Sequence, residues 1–279
     1  MNQILIVGIL RNCSSTLEKD IATLSSAFAD FEVSFFFVES DSQDSTVLLL
    51  ERLKFELNSF SFVSLGNVES VIPNRIERIS HCRNVYLEEL RTRTHTTETE
   101  FTVIVDMDGI NQGLSKIGVE SSFNLANWSV CCANQRGPYY DIYALRATDW
   151  NVHNLSDSYR MYLVKYKFHA FAFYFSVIHK MLKFRGSIPI EVDSAFGGLA
   201  IYRTSSIINL SYSPRNMEGE IECEHVSLHR SIRNEGGRII INPKLINSGV
   251  SVNARRAFLK FFGICLLGKR YYYLRGRGF

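Results

Sequence analysis

Six cysteines occur in the 279 residues, at Cys13, Cys82, Cys131, Cys132, Cys223 and Cys265, yet they form no C-x-x-C pair and no disulfide-framework spacing. That absence excludes a disulfide-stapled scaffold and reads as reduced thiols in a cytosolic setting. Charge of one sign is equally scarce. Against 28 Asp and Glu stand 31 Lys and Arg, and a net charge of +3 implies no nucleic-acid partner. The opening "MNQILIVGIL" has no basic leader and is too short for a signal peptide or a membrane anchor. The expectation is a first strand that begins almost at the initiator methionine. No Gly-rich phosphate loop with a lysine follows it, since "GILRNCSS" is not one. What remains, at 46% hydrophobic and 21% charged, is an ordinary folded chain long enough for one large domain or two small ones.

Strand and helix patterns alternate through the first hundred residues. "ILIVGIL" precedes "SSTLEKDIATLSSAF", whose serines sit at a capping position and whose apolar residues recur at helical spacing. "FEVSFFFVES" reads as a second strand, and "STVLLLERLKFELN" as a helix behind a Ser45/Thr46 cap. "FSFVSL", the long helix "NRIERISHCRNVYLEELRTR" and the strand "FTVIVDMD" complete the series. This alternation predicts a doubly wound, mostly parallel α/β sheet with its sites at the carboxyl ends of strands.

At one such end the strand "FTVIVDMDGIN" runs into two aspartates, Asp106 and Asp108. They form either a polar strand exit, with Gly109 and Asn111 in an ordinary turn, or a pair of hard oxygen ligands for a divalent cation that also grips a phosphate. Later, "GPYYDIYALRATDW" gathers three tyrosines, Asp141, Arg146 and Trp150. Such a stretch suits a sugar ring, with an apolar platform beside directional polar groups, and equally suits a hairpin with aromatic core residues.

Five of these stretches resemble, in order, the motifs of GT-A nucleotide-sugar transferases across roughly residues 1–242. "VESDSQDST" resembles their nucleotide loop, "RISHCRN" their A-R-N helix motif, and "DMD" their D-x-D. "DSAFGGLAIYR" resembles their Gly-rich acceptor-side strand, and "CEHVSLHRSI" their late G-E-D-x-x-L-x-x-R helix. The combination is most similar to the fungal capsule-associated α-mannosyltransferases and their bacterial relatives. The resemblance implies a GT-A domain over residues 1–243, with a nucleotide-binding half (1–111) and an acceptor-binding half (112–243). It also implies transfer of a sugar from a nucleoside-diphosphate sugar to a glycan or lipid-linked glycan, in surface polysaccharide or glycolipid synthesis.

The same resemblance distributes roles. Asp108 would hold Mn²⁺ or Mg²⁺, with Asp106 bonding ribose or a metal-bound water. Glu39 and Asp41 fall in the loop that receives base and ribose, although Ser40 and Asp41 depart from the family's D-G. Arg11, Arg78 and Arg83 are placed with the nucleotide-sugar, and Cys82 stands for the alanine of A-R-N. Tyr140, Asp141, Arg146, Gly197 and Gly198 are placed with the acceptor; the two glycines admit either substrate approach or a bulge. Glu224 and His225 occupy catalytic positions. Inverting relatives carry an Asp base where this chain has His225, whereas retaining ones commonly use a late histidine as a metal ligand. His225 and His229, four apart on one helix face, are both candidate ligands, and retention is the expectation. His225 as the base of an inverting reaction is the alternative.

After Asn242 the character changes. The segment 244–279, with "ARRAFLKFFGICLLGKRYYYLRGRGF", contains no acid and mixes Lys and Arg with Phe, Leu and Tyr. Its apolar part is too short to span a bilayer. It reads as a basic amphipathic extension with an affinity for anionic lipid, or as a helix docked on the domain with a basic tail. A peripheral station on the cytoplasmic face of a membrane follows from the first reading. Two other classes stand beside the transferase: a non-catalytic basic protein binding anionic polymers or membranes, and a nucleotidyltransferase, which lacks its phosphate loop here.

Overall fold

The computed structural model describes residues 3–94 and 99–274. Its centre is an eight-stranded sheet in the order β3-β2-β1-β4-β7-β5-β8-β6. The strands are β1 (Gln3–Leu10), β2 (Glu32–Glu39), β3 (Phe60–Ser64), β4 (Thr99–Asp106), β5 (Val130–Gln135), β6 (Ile190–Val192), β7 (Leu199–Arg203) and β8 (Ile239–Ser248). β1 to β4 pair in parallel, as do β5 and β8; β7 runs antiparallel between β4 and β5, and β6 antiparallel on β8. The mostly parallel α/β sheet is therefore observed, and it is continuous from one expected half to the other.

The helices between the strands are α1 (Leu17–Ala27), α2 (Thr46–Glu56), α3 (Arg75–Thr94) and α4 (Lys116–Phe123). A second group follows: α5 (Leu155–Tyr166), α6 (His169–Phe173), a π-helical turn (Tyr174–Ile178) and α7 (His179–Met181). Then come α8 (Glu224–Asn234), α9 (Val252–Leu267) and α10 (Arg270–Leu274). Because strand side chains alternate between faces, the central strands feed two cores. Leu5 and Val7 join Tyr86, Leu87 and Leu90 of α3, while Ile4 and Ile6 join Leu17, Ile21 and Leu24 of α1. Burial on both faces is why "ILIVGIL" carries no alternation. Gly8 is required where β1 meets β4, since a Cβ there would lie 2.6 Å from the Val105 carbonyl oxygen.

Two local expectations are corrected. Neither Ser14 nor Ser15 caps α1: Thr16 holds the N-cap position without a side-chain bond, and Ser14 Oγ donates to Asp44 at 2.7 Å. Asp44 rather than Ser45 satisfies the start of α2, accepting from the Thr46 amide at 3.0 Å. The domain limit at residue 243 falls inside β8, so the chain leaves the sheet after Ser248. Beyond it α9 buries Ala254 and Ile264 against the first core, and residues 275–279 of the expected tail lie outside the described residues. Among the described residues no helix is long and apolar enough to cross a membrane.

Candidate active site

Three strands end together. Leu10 of β1 lies opposite Glu39 of β2, and Ile9 opposite Asp106 of β4. The chain leaves β1 to build β2 and β3 on one side and returns as β4 on the other. That reversal is the switch point at which open α/β sheets bind ligands. A cleft of about 260 Å³ opens there, with Arg11, Ser40, Arg75, Arg78, Asp106 and Asp108 on its walls.

The D-x-D turn is fastened from three sides. The Gly109 amide donates to Asp20 Oδ2 of α1 at 2.9 Å, and the Ile110 amide to Asp108 Oδ1 at 3.3 Å. Buried Asn111 donates through Nδ2 to the carbonyls of Asp106 (2.7 Å) and Gly198 (3.1 Å), and accepts from Asn247 at 2.8 Å. The segment is no loose exit loop. Met107 is buried and Asp108 exposed. The Asp106 carboxyl is one-third open yet ringed by protein, so burial is the leading cause that lifts its pKa to about 7. Arg83 opposes that rise, while Asp108, Asp141 and Glu224 add to it. Asp20, which sequence reasoning missed, is lifted by burial to about 6. Its signal was there: it shares the apolar face of α1 with Leu17 and Leu24.

Arg83 joins the D-x-D to the late motif. Its Nε donates to Glu224 Oε1 at 3.1 Å, Nη1 to the Tyr86 hydroxyl at 3.1 Å, and Nη2 lies 3.7 Å from Asp106 Oδ1. The guanidinium also sits 5.3 Å from the Phe196 ring centre and 5.7 Å from that of Tyr212. One buried cation thus serves a group of carboxylates that burial would otherwise disfavour as ions. Asp141 belongs to that group, accepting from the Gly197 amide at 3.2 Å, and burial raises its pKa to about 6.

The two histidines of α8 separate. His229 is held in the core, with Nδ1 2.9 Å from Ser194 Oγ and Nε2 2.9 Å from the Tyr202 hydroxyl, so neither ring nitrogen is left for a metal. The ligand expectation for His229 is corrected on that ground. His225 stacks on Phe196 at 4.0 Å, and neither of its buried ring nitrogens has a hydrogen-bond partner among the described residues. Burial, then the Arg83 charge, pushes its pKa well below the usual imidazole range, so the ring is neutral with a lone pair to offer. Among the described residues no three His, Cys, Asp or Glu side chains are gathered for a metal. The donor set nonetheless suits a hard divalent cation that keeps waters and phosphate oxygens, because Asp106 and Asp108 present carboxylate oxygens at the cleft.

The loop after β2 is built from its own acids. Glu39 is buried, with its carboxylate accepting from the Ser42 amide at 2.9 Å and from Ser64 Oγ. Asp41, in the left-handed region at φ 61°, accepts from the Glu69 amide at 2.8 Å and lies 3.5 Å from Arg78 Nε. Arg11 and Arg78 both reach Glu69, at 2.7 and 3.1 Å. Of these residues only Arg11 and Arg78 line the cleft, so Glu39 and Asp41 are not brought to its wall.

On the other side, Tyr140 donates to Asp106 Oδ2 at 3.4 Å. Gly197 and Gly198 have φ of 75° and 82°, and a Cβ on either would strike protein atoms, Ala133 O at 2.4 Å and Tyr140 Oη at 2.7 Å. They serve close packing of this chain on itself. Arg146 is buried and donates to the carbonyls of Tyr143 and Leu145 at 3.1 and 2.8 Å, so it is not brought to the cleft.

Sequence comparison supplies the deciding observation. The family described as Cryptococcal mannosyltransferase 1 matches residues 3–229. The chain belongs to that family. Its fold is GT-A, as in solved glycosyltransferases of low identity. A mannosyltransferase of Pyrobaculum calidifontis, solved in complex with GDP-Man and Mn²⁺, is 14% identical with a TM-score of 0.51. That alignment covers 99% of this chain and 64% of that one. TarS 1-349 of S. aureus, solved in complex with UDP, is 15% identical with a TM-score of 0.50, covering 96% of this chain and 66% of that one. The chain thus spans less than two thirds of either protein. No curated protein matches it by sequence.

Proposed function

We propose that this member of a glycosyltransferase family moves a sugar from a nucleoside-diphosphate sugar to a glycan or lipid-linked glycan, with Mn²⁺ or Mg²⁺ and with retention. The observation that carries the reading is the position of Asp106 and Asp108, at the carboxyl end of β4 in the cleft of the switch point. A divalent cation bound there neutralises charge that develops on the departing diphosphate. The chain's own groups do the rest. Asp106 and Asp108 hold the cation, Arg11 and Arg78 face the donor's phosphates from the cleft wall, and Glu39 and Asp41 set the shape of the base and ribose loop. Glu224 fixes Arg83 beside Asp106. Tyr140 and Asp141 line the way to the acceptor.

Retention is supported by His225. Burial and the Arg83 charge lower its basicity, which weakens it as the base of the inverting alternative. The complexes with GDP-Man and Mn²⁺ and with UDP in the two relatives support the donor class. The acid-free C-terminal helices support a peripheral station at an anionic membrane surface. The test is release of nucleoside diphosphate from a panel of nucleotide sugars with Mn²⁺, followed by the product anomer. An α-linked product from an α-linked donor is expected; a β-linked product overturns retention, and no release from any donor overturns the transferase reading.

A further inference from the structure

The C-terminal helices are apolar on their outward side as well as their inward one. α9 buries Ala254 and Ile264 toward the domain and half-buries Phe261 against it, as a docked helix should. Its opposite face carries Leu259, Phe262 and Leu266, which are 70%, 59% and 84% exposed. These positions follow i, i+3, i+7, so they form one outward stripe. Arg255 and Arg256 stand at one end of it, and Lys269 and Arg270 just past the other, all exposed.

A second outward stripe comes from a segment some ninety residues earlier. On α5 and the turn into α6, Met161, Val164, Phe168 and Phe171 are exposed, with Arg160, Lys165 and Lys167 around them. The two segments form one helical layer. The Tyr159 hydroxyl of α5 lies 3.2 Å from that of Tyr272 in α10, and the Tyr174 ring lies 5.8 Å from Phe261 of α9. Across α5, α6, the π-helical turn, α7, α9 and α10 the sole acid is Asp157.

We infer that α5–α6 and α9–α10 together form a composite docking face for an anionic lipid bilayer, into whose interface Phe168, Phe171, Leu259 and Phe262 insert. It extends, and rests on, the peripheral station proposed above. Charge complementarity selects the occupant: aromatic and aliphatic anchors interleaved with cations on a nearly acid-free face match a negatively charged interface. A polyanion in solution would leave the apolar stripes unburied. The layer docks on the domain through its inner faces, so the protein would lie on the surface.

The experiment is co-sedimentation of the full chain with phosphatidylcholine vesicles, with and without phosphatidylglycerol. Binding is expected only with the anionic lipid and should weaken with salt. Phe168→Ser/Phe171→Ser should lose most of that binding although the C-terminal helices are untouched. Arg255→Ala/Arg256→Ala should weaken it by about thirty-fold, at roughly 1 kcal/mol for each arginine. All four positions lie outside the cleft, so nucleoside diphosphate release without vesicles should be unchanged in every variant. Wild-type vesicle binding by the Phe168/Phe171 variant overturns the composite face while leaving a C-terminal station in place. No vesicle binding by the full chain, with a dimer that these substitutions dissolve, gives the face to a second copy and overturns the lipid occupant. Vesicle binding without turnover leaves this inference standing and overturns the transferase reading.

Discussion

Arg83 of α3 donates through Nε to Glu224 Oε1 of α8 at 3.1 Å, with both side chains almost fully buried. Residues 141 apart in sequence are thereby locked beside Asp106. Removing the cation alone leaves Glu224 and Asp106 as uncompensated neighbours, and breaking a buried pair in this way costs about 3–5 kcal/mol. Arg83→Met should lower urea stability by that order, and Arg83→Met/Glu224→Leu should recover part of the loss. A double variant whose loss equals the sum of the Arg83→Met and Glu224→Leu losses would show that the pair is not coupled.

In the proposed cation site, Asp106 is the group expected to set the pH response of metal binding. Burial lifts its pKa to about 7, so below that pH a proton competes with the cation for the carboxylate. Mn²⁺ affinity, followed by calorimetry, should level off above about pH 8 and be about tenfold weaker at pH 6 than on that plateau. His225 adds no limb near pH 6.5, because burial keeps it neutral through that range. A curve that breaks near 6.5 only when His225 is present would contradict this assignment.

His229 governs stability in acid. Burial lowers its folded pKa to about 3, below the unfolded value near 6.5. Between those values the unfolded chain binds the extra proton, so this group's contribution is complete above pH 6.5 and is lost as pH falls toward 3. From pH 7 to pH 5 the loss is about 2 kcal/mol. Asp20, Asp106 and Asp141 have raised folded pKa values and push the other way over the same range. Comparing wild type with His229→Gln cancels them: the stability gap should shrink by about 2 kcal/mol between pH 7 and 5. A gap independent of pH would refute the neutral, buried imidazole.

Much of this was legible beforehand. Strand and helix order followed from hydrophobic period, and the end of β4 was marked by Asp106 and Asp108 as either a polar strand exit or a cation site. Contacts across long separations were not legible. Nothing local to Arg146 says that it turns inward onto the Tyr143 and Leu145 carbonyls. Nor does helical spacing reveal that His229, one turn beyond His225, meets Ser194 and Tyr202. Spacing reports which side of a helix a residue occupies, and packing decides what waits there. The outward stripe of α5 escaped notice for a related reason, since an amphipathic helix reads the same whether its apolar side faces a core or a membrane.

The most direct test compares wild type with Asp108→Ala for Mn²⁺-dependent release of nucleoside diphosphate from a donor that the wild type turns over. Asp108 is exposed and accepts one amide bond within its own turn, so the variant should fold with a stability change within about 0.5 kcal/mol. The expected result is release by the wild type, its loss on adding EDTA, and a fall of at least about a hundredfold in the folded variant. A folded Asp108→Ala protein that releases nucleoside diphosphate at the wild-type rate without added metal would contradict it.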